Sequence, residues 1–237
     1  MTNGIEILAN AAIKQVGRLD CTAHNIANSN TPGFKAERFR FLMGTAGRRA
    51  NEGRPAQGPA TSVDYSPGVL QKTGNGLDLA INGKGFFAVQ TKDGVAYTKD
   101  GRFMLSENGE MVTRAGDYVL GRNGKIIIEG NDVQVSQDGV ISVDGEAVDA
   151  VKIMSFREPS ALIKLNMGLY RNPDNLAGAK KEESSRIQSG YLELSNVKTI
   201  REMVEMINIQ RTFESYQKAI LTVSEQDKMS TNRIGKL

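Results

Sequence analysis

GKGFFAVQTKDGVAYTKDGRFMLSENGEMVTR (83–114) decides the fold. Three Asx-Gly pairs interrupt it: Asp93-Gly94, Asp100-Gly101 and Asn108-Gly109. Such pairs supply the positive φ that tight hairpin turns require. Between them lie short runs rich in β-branched and aromatic residues: GFFAVQ, VAYTK, RFMLS and EMVTR. The pattern continues on both sides. Asn75-Gly76 and Asn82-Gly83 precede it, and Asn123-Gly124, Asp138-Gly139 and Asp144-Gly145 follow, separating LDLAI, YVLG, KIIIE, VQVS, VISV and AVKIMSF. A helical domain does not tolerate glycine this often. Many short antiparallel strands are expected, forming an all-β domain over 69–165.

Outside that domain the period changes from two to that of a helix. Ile5, Ala9, Ala12, Val16, Leu19, Ala23 and Ile26 recur at alternating spacings of four and three. At ~100° per residue they fall in a sector about 100° wide, a narrow seam like that of a coiled coil. This helix is expected to stop near Asn28, at SNTPG, where Pro32 and Gly33 break it. A second long helix is expected from Ser195 or Asn196, either of which suits an N-cap. Its apolar residues lie on two sides. Val197, Ile200, Val204 and Ile207 share one side; Ile209, Phe213, Tyr216, Ile220 and Val223 share roughly the opposite one, and Met203 lies between. A two-helix hairpin covers one stripe, so the second stripe implies either a kink or more neighbours than this chain supplies.

The expected fold is therefore mainly β with long terminal α-helices. A discontinuous helical, coiled-coil-like domain (1–35 and 190–237) receives the antiparallel all-β domain (69–165) as an insertion. An extended connector (36–68) and a polar connector (166–189) join them. The stretch from Lys35 to Arg54 is basic: Lys35, Arg38, Arg40, Arg48, Arg49 and Arg54 against Glu37 and Glu52.

Composition restricts function more than it suggests one. The 237 residues carry a net charge of only +3, so a nucleic-acid partner, which needs a broad basic surface, is not expected. Cys21 is the single cysteine, which excludes an internal disulfide and a multi-cysteine zinc site. No apolar run is long enough to span a bilayer, so no direct membrane insertion is expected. MTNGIEILANAAIKQ lacks a basic start and carries Glu6, so a cleaved signal peptide is not expected. His24, the only histidine, stands three residues from Cys21, but without a surrounding motif the pair reads as coincidence. GNGLDLAINGKGFF matches no phosphate-loop pattern, and the Asp-Gly aspartates are explained by turns without calcium. No catalytic residue, cofactor, metal or small-molecule substrate is expected. Two other classes stay open: a self-contained β-domain binding module, and a hydrolase using paired carboxylates, for which no pair can be singled out.

HNIANSNTPGFK (24–35) resembles the N-terminal signature of bacterial flagellar rod and hook proteins. GYLELSNVKTIREMVEMINIQRTFESYQKAI (190–220) resembles their C-terminal signature, and LDLAINGKGFFAVQ (77–90) with AYTKDGRF (96–103) resembles their central segment. The resemblance implies a structural subunit, not an enzyme. It implies terminal helices forming an inner tube of the basal-body rod, a drive shaft crossing the envelope, with export through the flagellar machinery without cleavage. It implies as partners further copies of the chain, other proximal and distal rod subunits, that export machinery, and the surrounding basal-body rings. The short span from Ala36 to Pro67, with DYSPGVLQKTGNGLDLAI, resembles a proximal rod protein adjoining the distal rod; a distal rod or hook-type subunit is the alternative. Within the turn, Asn28, Thr31 and Gly33 carry the signature. Phe34 anchors the turn either in a neighbouring subunit's pocket or in its own chain.

Overall fold

The computed structural model describes residues 2–42, 58–130, 132–165, 168–182 and 185–234. The chain divides into two units. Met1–Ala27, Glu37–Asp64 and Val197–Leu237 make the first; Asn28–Ala36 and Tyr65–Asn196 make the second.

The first unit is two long helices and a hairpin. Helix α1 (Thr2–Ala27) ends where the sequence places its breaker, and α2 (Thr199–Ile234) packs along it. Asn25 reaches Glu202, and Arg18 pairs with Glu205, so the helices run antiparallel. The described part of α2 begins at Thr199, a few residues after Ser195 and Asn196. The Glu202 N–H donates to the Lys198 carbonyl (3.0 Å), and the Asn196 side chain is engaged within the second unit. The expected extended connector at 36–68 is corrected: β1 (Glu37–Leu42) and β2 (Gly58–Val63) form an antiparallel hairpin. ERFRFL is in fact a strand pattern, with Arg38 and Arg40 exposed and Phe39 turned inward. Phe39 closes over Gly17 of α1, where a Cβ would come within 2.5 Å of the ring. The rest of the basic stretch, residues 43–57, lies outside the described residues.

The second unit is all-β, as expected. Its strands are β3 (Leu70–Lys72), β4 (Leu79–Asn82), β5 (Phe86–Thr91), β6 (Gly94–Thr98), β7 (Phe103–Leu105), β8 (Met111–Thr113), β9 (Tyr118–Val119), β10 (Val133–Val135), β11 (Val140–Val143), β12 (Glu146–Ala150), β13 (Ile153–Phe156), β14 (Ile163–Lys164), β15 (Leu169–Arg171), β16 (Ala179–Lys181), β17 (Arg186–Ser189) and β18 (Tyr191–Glu193). The main sheet runs β14-β15-β6-β5-β9-β8-β7, with β13 joining β5 to β16. β10, β11 and β12 form a separate meander, and β17 pairs β4 while β18 pairs β3. β5 is buried on both faces. Phe87 enters the core with Leu79, Phe103, Met111, Val119 and Ile141. Phe86, on the opposite face, meets Tyr65, Phe156 and Tyr170 at ring separations of 5.9, 5.5 and 5.6 Å.

The Asx-Gly reading holds best at Asp144-Gly145. Both residues have positive φ (53° and 90°), as a two-residue hairpin between β11 and β12 demands. It fails at Asp100-Gly101. Gly101 is needed instead for close approach, because a Cβ there would lie 1.6 Å from the Leu79 carbonyl oxygen. KIIIE buries Ile126 and Ile128 and exposes Ile127, as a strand would, but makes only isolated bridges among the described residues.

The polar connector expected at 166–189 is also corrected. It contains β15, β16 and β17. β15 and β17 bury one residue each, Tyr170 and Ile187, and β16 buries none, so polar composition hides them. The expected boundaries at 35 and 190 shift too: 28–36 and 190–196 belong with the β unit.

Candidate functional site

Residues 28–35 and 190–196 of the two terminal signatures lie in the second unit with the central signature. In TPGFK, the Phe34 N–H closes a turn onto the Thr31 carbonyl (3.2 Å), and Thr31 does the same onto Asn28 (3.1 Å). Gly33 sits at φ +70° and donates its N–H to the Glu193 carbonyl (2.7 Å). A Cβ at Gly33 would stand 2.3 Å from the Asp100 backbone nitrogen, so only glycine fits between the two backbones. Phe34 is buried within its own chain, at 3% exposure, with the Lys164 ammonium 3.9 Å from its ring centroid. The pocket that receives it is therefore the subunit's own.

Beside this turn lies a buried charge cluster. Lys35, 1% exposed, donates from Nζ to Glu193 Oε1 (2.6 Å) and to the Ser66 carbonyl (2.8 Å). Glu193 Oε1 also accepts the Gly68 N–H (2.8 Å). Its other oxygen, Oε2, stands 3.6 Å from Lys99 Nζ, which donates to the Gly83 carbonyl (2.9 Å). One carboxylate thus faces two ammonium groups, all nearly excluded from water. Burial pushes the Lys99 ammonium down to about 8, partly opposed by the attraction of Glu193 and reinforced by the repulsion of Lys35. Asn196 completes the clamp. Its Oδ1 accepts the Ala36 N–H (2.8 Å), and its Nδ2 donates to the Ser66 carbonyl (3.0 Å). Chemically the arrangement ties three remote pieces of chain together by charge and backbone hydrogen bonds.

The sequence reading did not single out Lys35, Lys99 or Glu193. The available signal was a charge inside an apolar signature, Phe34-Lys35 and Leu192-Glu193-Leu194. A lysine or glutamate in such a setting rarely stays unpaired once buried. Asn25 was missed too. Buried in the first unit, it accepts the Glu37 N–H and donates to the Glu37 carbonyl, both at 2.8 Å. His24 Nδ1 faces Glu37 Oε2 at 3.3 Å, while Cys21 is buried.

The helices of the first unit carry the other candidate surface. On α1, Ala12 is buried and Ile5, Ala9, Leu19 and Ile26 are half-buried, but Val16 and Ala23 are exposed. The buried stripe drifts off the seven-residue seam towards Cys21, Thr22 and Asn25, because a straight helix turns 3.6 residues and not 3.5. On α2 the two sides separate clearly. Ile209 is 2% exposed, and Phe213, Tyr216, Ile220 and Val223 are half-buried on that side. Opposite them Ile200 is 81% exposed, and Met203, Val204 and Ile207 are about half exposed, at 49%, 54% and 49%. Ser195 and Val197, before the helix, are half-buried. No helix among the described residues is long and apolar enough to cross a membrane.

Comparison with known proteins matches three family models along the chain. Residues 5–35 match the flagella basal body rod protein model, 80–143 the flagellar hook protein FlgE/F/G D1 domain, and 188–234 the flagellar basal body rod FlgEFG protein C-terminal model. The flagellar basal-body rod protein FlgF of Caulobacter vibrioides is 36% identical over 234 residues, which cover 92% of each chain. FlgG of Bacillus subtilis is 34% identical over 88% of this chain and 90% of its own. FlgF of Mesorhizobium japonicum is 30% identical over 91% of this chain and 90% of its own.

Proposed function

The chain belongs to the flagellar basal-body rod protein family, and from that premise we propose that it is a proximal-type rod subunit that binds its neighbours through the uncovered faces of its helices. It is a structural subunit of the rod, located in the basal body, and it assembles with other rod subunits and with copies of itself. The short span from Ala36 to Pro67 supports the proximal assignment over the distal one.

The observation that carries the assembly reading is the apolar face of α2 turned away from Ile209. Ile200, Met203, Val204 and Ile207 occupy two successive turns there. Each such side chain gains about 1.5–3 kcal/mol when taken from full exposure to full burial. Val16 and Ala23 on α1 give small side chains that let a neighbouring helix approach closely. A rod must resist twist, and close-packed helices deform little. Repeated head-to-tail contacts that do not close into a ring generate such a filament.

The test is Ile207→Asp. The dilute chain should keep its unfolding midpoint, because the residue is half exposed and faces away from α1. Incorporation into purified basal bodies should fall at least tenfold. Normal incorporation with a folded variant would remove this face from the assembly interface.

A further inference from the structure

We propose that the buried cluster around Glu193 is a mechanical clasp that carries load between the helical unit and the β unit. The proposal rests on the rod-subunit reading above, because a subunit of a drive shaft works under load.

The chain passes between the two units after Ala27, Ala36, Asp64 and Asn196. A single covalent crossing resists tension but swivels about its φ and ψ bonds. Passing twist through such crossings therefore requires that they be fixed to one another. Within the β unit they are. The segments that lead to them are 28–36, 65–69 and 190–196. The Gly33 N–H donates to the Glu193 carbonyl (2.7 Å), and the Asn196 N–H to the Phe34 carbonyl (3.4 Å). Asn196 stands at the last crossing, and its Oδ1 accepts the N–H of Ala36, which stands at the second (2.8 Å). Its Nδ2 donates to the carbonyl and the hydroxyl of Ser66, just past the third (both 3.0 Å). Lys35 Nζ donates to that same Ser66 carbonyl (2.8 Å) and to Glu193. Glu193 in turn holds the Gly68 N–H, and the Leu194 N–H donates to the Val69 carbonyl (2.8 Å).

The clasp is also rooted in the core. Lys99 links Glu193 to the Gly83 carbonyl beyond β4, and β17 and β18, which precede Asn196, pair with β4 and β3. Each member of the network is fixed by the others, so it gives way as a whole and not bond by bond. Lys35 and Glu193 are 1% and 2% exposed, so water is not at hand to replace their bonds as they stretch.

The test is the lifetime of the full chain under constant force in optical tweezers, with handles in two geometries. Handles at the two chain ends first peel the antiparallel helices apart and then load 28–36 against 190–196. Handles on Lys92→Cys and Glu146→Cys, both exposed, load the strands of the β unit and bypass the clasp. Cys21 is buried, so the introduced thiols take the handles. Forced unfolding reports the unfolding rate. Asn196→Ala should shorten the lifetime of the β unit at least about tenfold when pulled from the ends, corresponding to ~1.4 kcal/mol, and less than about twofold when pulled through the strands. If Asn196→Ala does not fold, Ser66→Ala, which removes only the hydroxyl from the network, carries the same comparison with a smaller effect in the same direction. Equal shortening in both geometries overturns the clasp, since the cluster then only stabilises the fold. An unchanged lifetime from the ends overturns it too, and both results leave the rod assignment intact. Absence of the unsubstituted chain from purified basal bodies overturns the rod reading and the load-bearing role together.

Discussion

Replacing Glu193 by Gln keeps the shape of the side chain and an acceptor for the Gly68 N–H, but removes the carboxylate that faces both Lys35 and Lys99. Removing one partner of a buried ion pair costs about 3–5 kcal/mol, since an unpaired charge remains inside. The two lysines share this loss unequally. Lys99 already titrates at about 8 against an ordinary 10.5, so its burial as a cation costs ~3 kcal/mol at neutral pH. Without Glu193 it can lose its proton, which caps its further cost at pH 7 near 1 kcal/mol. Most of the loss therefore falls on Lys35, hydrogen-bonded to the carboxylate at 2.6 Å. Urea unfolding of the full chain followed by tyrosine fluorescence reports mainly on the β unit, which contains Tyr65, Tyr97, Tyr118, Tyr170 and Tyr191. With an m-value of ~2 kcal/mol/M, the midpoint should fall by about 1.5–2.5 M. Adding Lys35→Met should recover part of the loss by removing the stranded cation. The exposed Glu225→Gln should change little. A loss below about 1 kcal/mol for Glu193→Gln would refute the view that this carboxylate holds the turn.

Four further outcomes follow from the same structure. Gly33→Ala forces a Cβ into left-handed backbone and onto the Lys99–Asp100 peptide, and should destabilise the β unit by at least about 3 kcal/mol in urea unfolding. Phe34→Ala should cost about 3–5 kcal/mol in the isolated chain, because its pocket is intramolecular; a stable monomer with failed assembly would contradict that. Between pH 8 and 10.5 the unfolded chain holds a proton on residue 99 that the folded one has released, so stability should rise with pH, by about 2 kcal/mol from pH 7.5 to 9.5. Lys99→Met should flatten that rise. Above pH 10 the trend should reverse, since burial pushes the Tyr65 hydroxyl up to about 12 and the unfolded state ionises first; urea midpoints across this range check both signs.

Local order was legible because its causes are local. Positive φ at Asp144-Gly145, the aromatic and β-branched run GFFAVQ, and the breaker at Pro32-Gly33 depend on a few adjacent residues, and sequence states them directly. The two-sidedness of α2 was legible for the same reason, as a helix turns ~100° per residue whatever packs on it. The strands at 169–189 were not legible. Each is only three or four residues long and buries one side chain or none, so its identity comes from β6, β13 and β4 beside it. Gly101 looked like a turn residue, and only the Leu79 carbonyl pressed against it shows otherwise. Least legible was the cluster of Lys35, Lys99 and Glu193. Lys35 and Glu193 are separated by 158 positions, and a charge carries no mark of its partner. Composition and period determined the two long helices and most strands between residues 69 and 156. Tertiary structure alone decided which charges leave water together, because that depends on which backbones approach closely enough to exclude it.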